Sequence, residues 1–157
     1  MPASGWDDSR AKEIVRRHGE REGPLLPILH DLQAEFGCIP QPAIPMLAET
    51  LNLTRAEVHG VVSFYHDFRD QPAGRHVLKL CRAEACQSLG GEAVARQVMA
   101  RFGSDWGTTT ADGALTVEAT YCLGLCACGP SALLDGRPIG RLNADAIDDI
   151  AREVRSR

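Results

Sequence analysis

Apolar positions recur at helical spacing through the first seventy residues. Asp7, Asp8 and Ser9 offer N-caps, and Ala11, Ile14, Val15 and His18 follow as one stripe. Gly23 and Pro24 break it. Leu25, Leu26, Ile28, Leu29, Leu32 and Phe36 form a second stripe that stops at Gly37 and Pro40. Pro42 to Leu51 reads as a short third helix. Thr54 and Glu57 make a capping box for a fourth, running through Val58, Val61, Val62 and Phe64. This is the pattern of a small helical bundle over 1–71.

The turn Gln71, Pro72, Ala73, Gly74 marks a boundary, after which the period shortens. His76 to Cys81 is strand-like. Ser88 to Phe102 is helical, with Val94, Val98, Met99 and Phe102 inward and Gly103 as the stop; Gly90-Gly91 reads as a helix-start feature only. Asp112-Gly113 is a hairpin-type turn before the strand Ala114 to Cys122. Ser131 to Leu134, Asp135-Gly136 and Arg137 to Leu142 read as a second hairpin. Asn143 caps a last helix that carries Ala146, Ile147, Ile150 and Val154. The order, in shorthand β-α-β-β-α, predicts a parallel pair joined across a helix and an antiparallel hairpin. The expected class is α/β: an N-terminal helical bundle, then a thioredoxin-like domain with a small mixed sheet over 72–157.

Composition narrows what such a chain does. Of the 157 residues, 44% are hydrophobic and 24% charged, enough apolar residues for a packed core. The net charge of −4 comes without any Lys/Arg cluster, which disfavours binding to nucleic acid or an anionic membrane. No apolar run is long enough to span a bilayer, and Met1 to Asp8 lack the apolar core of a signal peptide. The expected location is cytoplasmic. Thiols stay reduced there, so 6 cysteines point to metal or redox chemistry more than to disulfides.

Cys81 and Cys86 form C-x₄-C at the end of the first strand, and Cys122 and Cys126 form C-x₃-C at the end of the next. If those strands are neighbours, four thiolates converge at one sheet edge, two per iron, as a [2Fe–2S] cluster requires. Gly124 would let the backbone approach and turn its amides toward sulfur, Gly129-Pro130 closes the same loop, and a helix N-terminus near Ser88 would add a favourable field. Structural zinc accepts the same spacings. A thiol–disulfide enzyme would use C-x-x-C, which is absent here. Inert buried thiols are the third alternative. Cys38 reads as a packing residue. Cys128 rivals Cys126 as fourth ligand, and the C-x-C spacing disfavours both sulfurs on one iron.

The two cysteine pairs, Gly129-Pro130, the stretch Val58 to His66 with its Phe64-Tyr65 ending, and Pro72 to His76 closely resemble the thioredoxin-like [2Fe–2S] ferredoxin subunit of respiratory complex I, NAD-linked formate dehydrogenases and bidirectional hydrogenases. The resemblance runs from about Glu13 into the last helix. It implies a cluster ligated by Cys81, Cys86, Cys122 and Cys126, with Cys128 a free thiol beside it. It also implies docking on a flavoprotein that binds FMN and NAD(H). The length and the loop from Tyr121 to Pro130 look most like the gamma subunit of a soluble NAD-dependent formate dehydrogenase. The chain would then be an electron-transfer subunit, not a complete enzyme.

Other residues carry weaker signals. His59 and His66 sit seven apart on a helix expected over Val58 to Phe68, a spacing that suits surface positions rather than a metal pair. His76 as a Rieske-like ligand is redundant once four cysteines fill the site. Phe64, Tyr65 and Phe68 read as core, with partner docking as the alternative. Arg82 and Glu84 lie between ligands, and either solvate the surface or tune the site.

Overall fold

A computed structural model describes residues 5–19 and 21–156; the expectation about a leader at Met1 to Ser4 lies outside them. The chain divides into two compact units between Pro72 and Ala73.

In the first unit four helices form: α1 (Asp8–Arg17), α2 (Leu25–Phe36), α3 (Ala43–Thr50) and α4 (Arg55–Phe64). Of the three candidate caps for α1, Asp7 does the work, its carboxylate accepting the Arg10 N–H at 3.0 Å. The α4 box closes as expected. Thr54 Oγ1 accepts the Glu57 N–H, and the Thr54 N–H donates to Glu57 Oε2 at 2.7 Å. That backbone bond, with the Thr54 hydroxyl, holds the Glu57 carboxyl below its ordinary range. Ile14, Ile28, Leu29, Leu32, Phe36 and Leu47 are fully or almost fully buried together. The segment after α4 is pinned to this core: the Gln33 amide donates to the Asp67 carbonyl and accepts the Arg69 N–H, both at 2.7 Å.

Two expectations change here. Tyr65 turns to extended backbone and ends α4, so His66 lies beyond the helix and does not share a face with His59. Phe64 and Tyr65 are exposed, at 73% and 43%, because α4 buries Val58 as its inward residue; of the three aromatics Phe68 alone reaches the core.

The second unit holds a five-stranded sheet in the order β2-β3-β1-β4-β5. The strands are β1 (His76–Cys81), β2 (Thr108–Thr109), β3 (Leu115–Thr120), β4 (Ala132–Leu134) and β5 (Arg137–Ile139), with helices α5 (Glu84–Ser88), α6 (Gly91–Phe102) and α7 (Ala144–Arg155). β1 lies at the centre, parallel to β3 and antiparallel to β4. Leu78, Leu80, Val117 and Leu134 from the sheet pack with Val98 of α6 and Ile147 and Ile150 of α7. The class is α/β with a mixed sheet, as the periodicities require.

The shorthand order missed β2, two residues too short to show a period, and undercounted the final hairpin. The helix expected over Ser88 to Phe102 begins later, as α6 at Gly91, and Ser88 is instead the last residue of α5. Gly90, at φ +91°, caps α6 as the Gly90-Gly91 start signal predicts, so no helix begins at Ser88 itself; the N-termini fall at Glu84 and Gly91. β3 stops at Thr120 because Cys122 takes φ +70°, outside the extended region.

Leu78 is 0% exposed on the central strand. Leu78→Ala is expected to cost about 2–5 kcal/mol, read as a lower urea midpoint in circular dichroism; a change within error would place the core of this unit elsewhere.

Candidate metal centre

β1 and β3 run side by side in register, Leu80 opposite Ala119 and Cys81 opposite Thr120. Their C-terminal ends therefore reach the same edge. Cys81 ends β1, its N–H donating to the Ser131 carbonyl at 3.0 Å, and the Arg82 N–H reaches the Thr120 carbonyl at 2.7 Å. Cys86 comes back against this point on α5, and Cys122 follows β3 by two residues. Cys126 opens a 3-10 turn, Cys126–Cys128.

The thiols converge as two pairs. The Cys86 thiol hydrogen-bonds the Cys81 sulfur, and both cysteines are free. Cys126 is most strongly affected by the charge and hydrogen bond of Cys122, and also feels Cys86 and Cys81; together they push its thiol up. Cys81 and Cys86 are buried while Cys122 and Cys126 are exposed. Burial alone would raise the Cys81 thiol, but it is lowered overall, because the N–H groups of Ala83, Cys122 and Leu123 and the Cys86 thiol all point at its sulfur. Those donors are what an anionic sulfur needs on leaving water. Among the described residues no three His, Cys, Asp or Glu side chains are gathered around one point to hold a single ion.

The remaining cysteines lie elsewhere. Cys38 is buried in the helical unit, and desolvation, then the charge of Asp70, pushes its thiol up. Cys128 turns its sulfur to Gly140, where a Cβ would come within 3.0 Å of it, and its carbonyl accepts the Arg141 N–H at 2.6 Å. His76 is fixed at the opposite end of β1, its Nδ1 2.6 Å from Asp135 Oδ2, so it is no rival ligand. Arg82 bonds Glu92 at 3.1 Å and covers the Trp106 ring at 4.8 Å, while Glu84 is exposed. A surface cleft of about 250 Å³ between Arg101, Thr110, Asp112, Leu115 and Arg155 lies toward the start of β3, away from the thiols.

The glycines play different parts from those expected. Gly124 takes φ +74° with nothing within 4 Å of a would-be Cβ, so it supplies conformation and not close approach. Close approach belongs to Gly129, whose Cβ would lie 3.3 Å from the Cys86 sulfur, and to Gly91, whose Cβ would lie 2.7 Å from the Cys86 carbonyl oxygen. Ser131 is a site residue that no sequence motif marks. It is 2% exposed and its Oγ lies 3.4 Å from the Cys86 sulfur. Its place directly after Gly129-Pro130 is visible in the sequence, but its contact depends on β4 pairing with β1.

All-sulfur donors suit zinc, copper(I) or iron–sulfur centres. Two linked pairs with amide donors aimed at sulfur fit a [2Fe–2S] cluster, which takes two thiolates on each iron.

Comparison with known proteins gives the same direction. The sequence profile described as thioredoxin-like [2Fe-2S] ferredoxin matches residues 11–155. The chain is 34% identical over 144 residues to an NADH-quinone oxidoreductase subunit of Pseudomonas aeruginosa, covering 92% of this chain and 87% of that one. It is 32% identical over 148 residues to the alpha subunit of the NAD-reducing hydrogenase HoxS of Cupriavidus necator, covering 94% of this chain but 25% of the relative. Among solved structures, an NAD⁺-reducing [NiFe]-hydrogenase in its H₂-reduced state superposes with a TM-score of 0.72 at 30% identity, over 85% of this chain and 22% of that one.

Since a Cβ on Gly91 meets backbone, Gly91→Ala is expected to cost about 1–3 kcal/mol and to raise the reactivity of the Cys86 thiol toward a thiol reagent. Unchanged stability and unchanged Cys86 labelling would show that the contact is relieved at no cost.

Proposed function

Because the chain belongs to the thioredoxin-like [2Fe–2S] ferredoxin family, we propose that it is an electron-transfer subunit of an NAD-linked oxidoreductase complex, holding its cluster on Cys81, Cys86, Cys122 and Cys126. The observation that carries this reading is the convergence of both cysteine pairs at the ends of the parallel strands β1 and β3. When bound, the cluster supplies one-electron storage and transfer.

This chain's own residues would do the rest. Cys81 and Cys86 fix the inner side from within the core, and Cys122 and Cys126 present the outer side at the surface. The amides of Ala83, Cys122 and Leu123 spread negative charge off sulfur, which also influences the potential. Leu89 and Tyr121, exposed at 54% and 75%, offer apolar contact on the segments that bear Cys86 and Cys122. In this division of labour 72–157 carries the cluster and the helical 1–71 is a docking arm. The proposed partner is a flavoprotein that binds FMN and NAD(H), in the cytoplasm. No nucleic acid or direct membrane contact is involved in this reading; no helix among the described residues is long and apolar enough to cross a membrane.

For the parent complex, the resemblance of the loop from Tyr121 to Pro130 to that of formate dehydrogenase gamma subunits is the ground for proposing an NAD-dependent formate dehydrogenase. The second reading is an NADH:quinone oxidoreductase or a hydrogenase, favoured by the named relatives. Purifying the tagged chain with its native partners, then comparing NAD⁺ reduction by formate and by hydrogen and quinone reduction by NADH, separates these.

Anaerobically purified chain is expected to hold about two irons and two sulfides, with an S = 1/2 signal on dithionite reduction and a potential of about −400 to −150 mV. Zinc without iron would sink the proposal. Cys81→Ser and Cys122→Ser are expected to lose the cluster or hold it poorly, and Cys38→Ser to keep it. A cluster lost in Cys128→Ser but kept in Cys126→Ser would refute the ligand set.

A further inference from the structure

Cys86 is 1% exposed and Ser131 2%, so water does not mediate or replace the 3.4 Å contact between their Sγ and Oγ atoms. No buried side-chain nitrogen or oxygen among the described residues lacks a partner, and for the Ser131 hydroxyl that partner is this sulfur. The hydroxyl is also rigidly placed. The Ser131 carbonyl accepts the Cys81 N–H at 3.0 Å, and the next residue, Ala132, pairs with Leu80 of β1. One residue thus touches both members of the buried cysteine pair, through its backbone at Cys81 and its side chain at Cys86.

With free thiols either group could donate. A metal-bound Cys86 thiolate has no proton, so the Ser131 O–H must then donate to sulfur. On the ligand set proposed above, we infer that Ser131 is a positioning residue that raises the reduction potential by this buried O–H···S bond. Reduction adds one electron, supplied by dithionite or a mediator, and breaks no bond; the proton stays on Ser131. The added negative charge strengthens a bond to an anionic acceptor, so the donor favours the reduced state.

The test is an EPR-monitored redox titration of the full chain and its Ser131 variants, with iron and sulfide counted in each. Ser131→Ala is expected to keep its iron. At a fixed ambient potential its reduced-to-oxidised ratio should fall about tenfold, the scale of one hydrogen bond to a charged group, which for one electron is about 59 mV. Ser131→Thr, which restores a hydroxyl, should return toward the wild-type value. Ser131→Cys, a weaker donor of nearer volume, should fall between the two. An iron-replete Ser131→Ala at the wild-type potential overturns the inference, as does Ser131→Thr shifting equally far. If Ser131→Ala takes up no iron, Ser131→Cys decides: a lowered potential supports the inference and an unchanged one overturns it. Iron lost from all three variants overturns it too, since the residue would then serve assembly alone. Wild-type chain without iron would instead defeat the proposed function, a separate result.

Discussion

The parallel pairing of β1 with β3 sets the geometry on which the site depends. Parallel neighbours end at the same edge, and an antiparallel arrangement of these two would place Cys81 and Cys122 at opposite ends of the sheet. Six residue pairs in register, from His76 with Leu115 to Cys81 with Thr120, hold that edge. The register is itself guarded by burial. Leu78 and Leu80 face the core beside Val117, and a slip of one residue would turn them outward. The hydrophobic core and the thiol geometry are therefore the same constraint seen from two sides.

On that edge the two pairs receive different surroundings. Cys81 and Cys86 are enclosed by amides, Ser131 and Gly129, while Cys122 and Cys126 ride a loop with left-handed backbone at Cys122 and Gly124. Left-handed backbone at a cysteine carries strain, on the order of 1 kcal/mol. It directs the Cys122 and Leu123 amides back to the Cys81 sulfur. The strained residue and the electrostatic donor are the same residue, so the outer loop contributes to the inner pair as well as to its own.

Much of this was legible in the sequence. The α4 capping box, the stop at Gly37, the two cysteine strands and the last helix all follow from local rules that depend on neighbours in the chain. What escaped depended on the third dimension. The short α5, Glu84–Ser88, has too few residues to show a period, so the helix that carries Cys86 is not legible although the α6 start at Gly90-Gly91 is. Two-residue β2 has no period to detect. Phe64 and Tyr65 look like core by composition, yet α4 turns Val58 inward instead. Ser131 acquires its role by strand pairing, and Gly91 by the approach of the Cys86 carbonyl, neither of which a motif encodes.

The outward set of Cys122 and Cys126, together with the exposed side chains of Leu89 and Tyr121, bears on biogenesis. A donor delivering iron and sulfide must reach the sulfurs from outside, and the buried pair offers no separate door. If the flavoprotein proposed as partner seats over that same face, docking closes the entrance. Loading would then have to precede assembly, and a chain that docked empty would stay empty until it came off again.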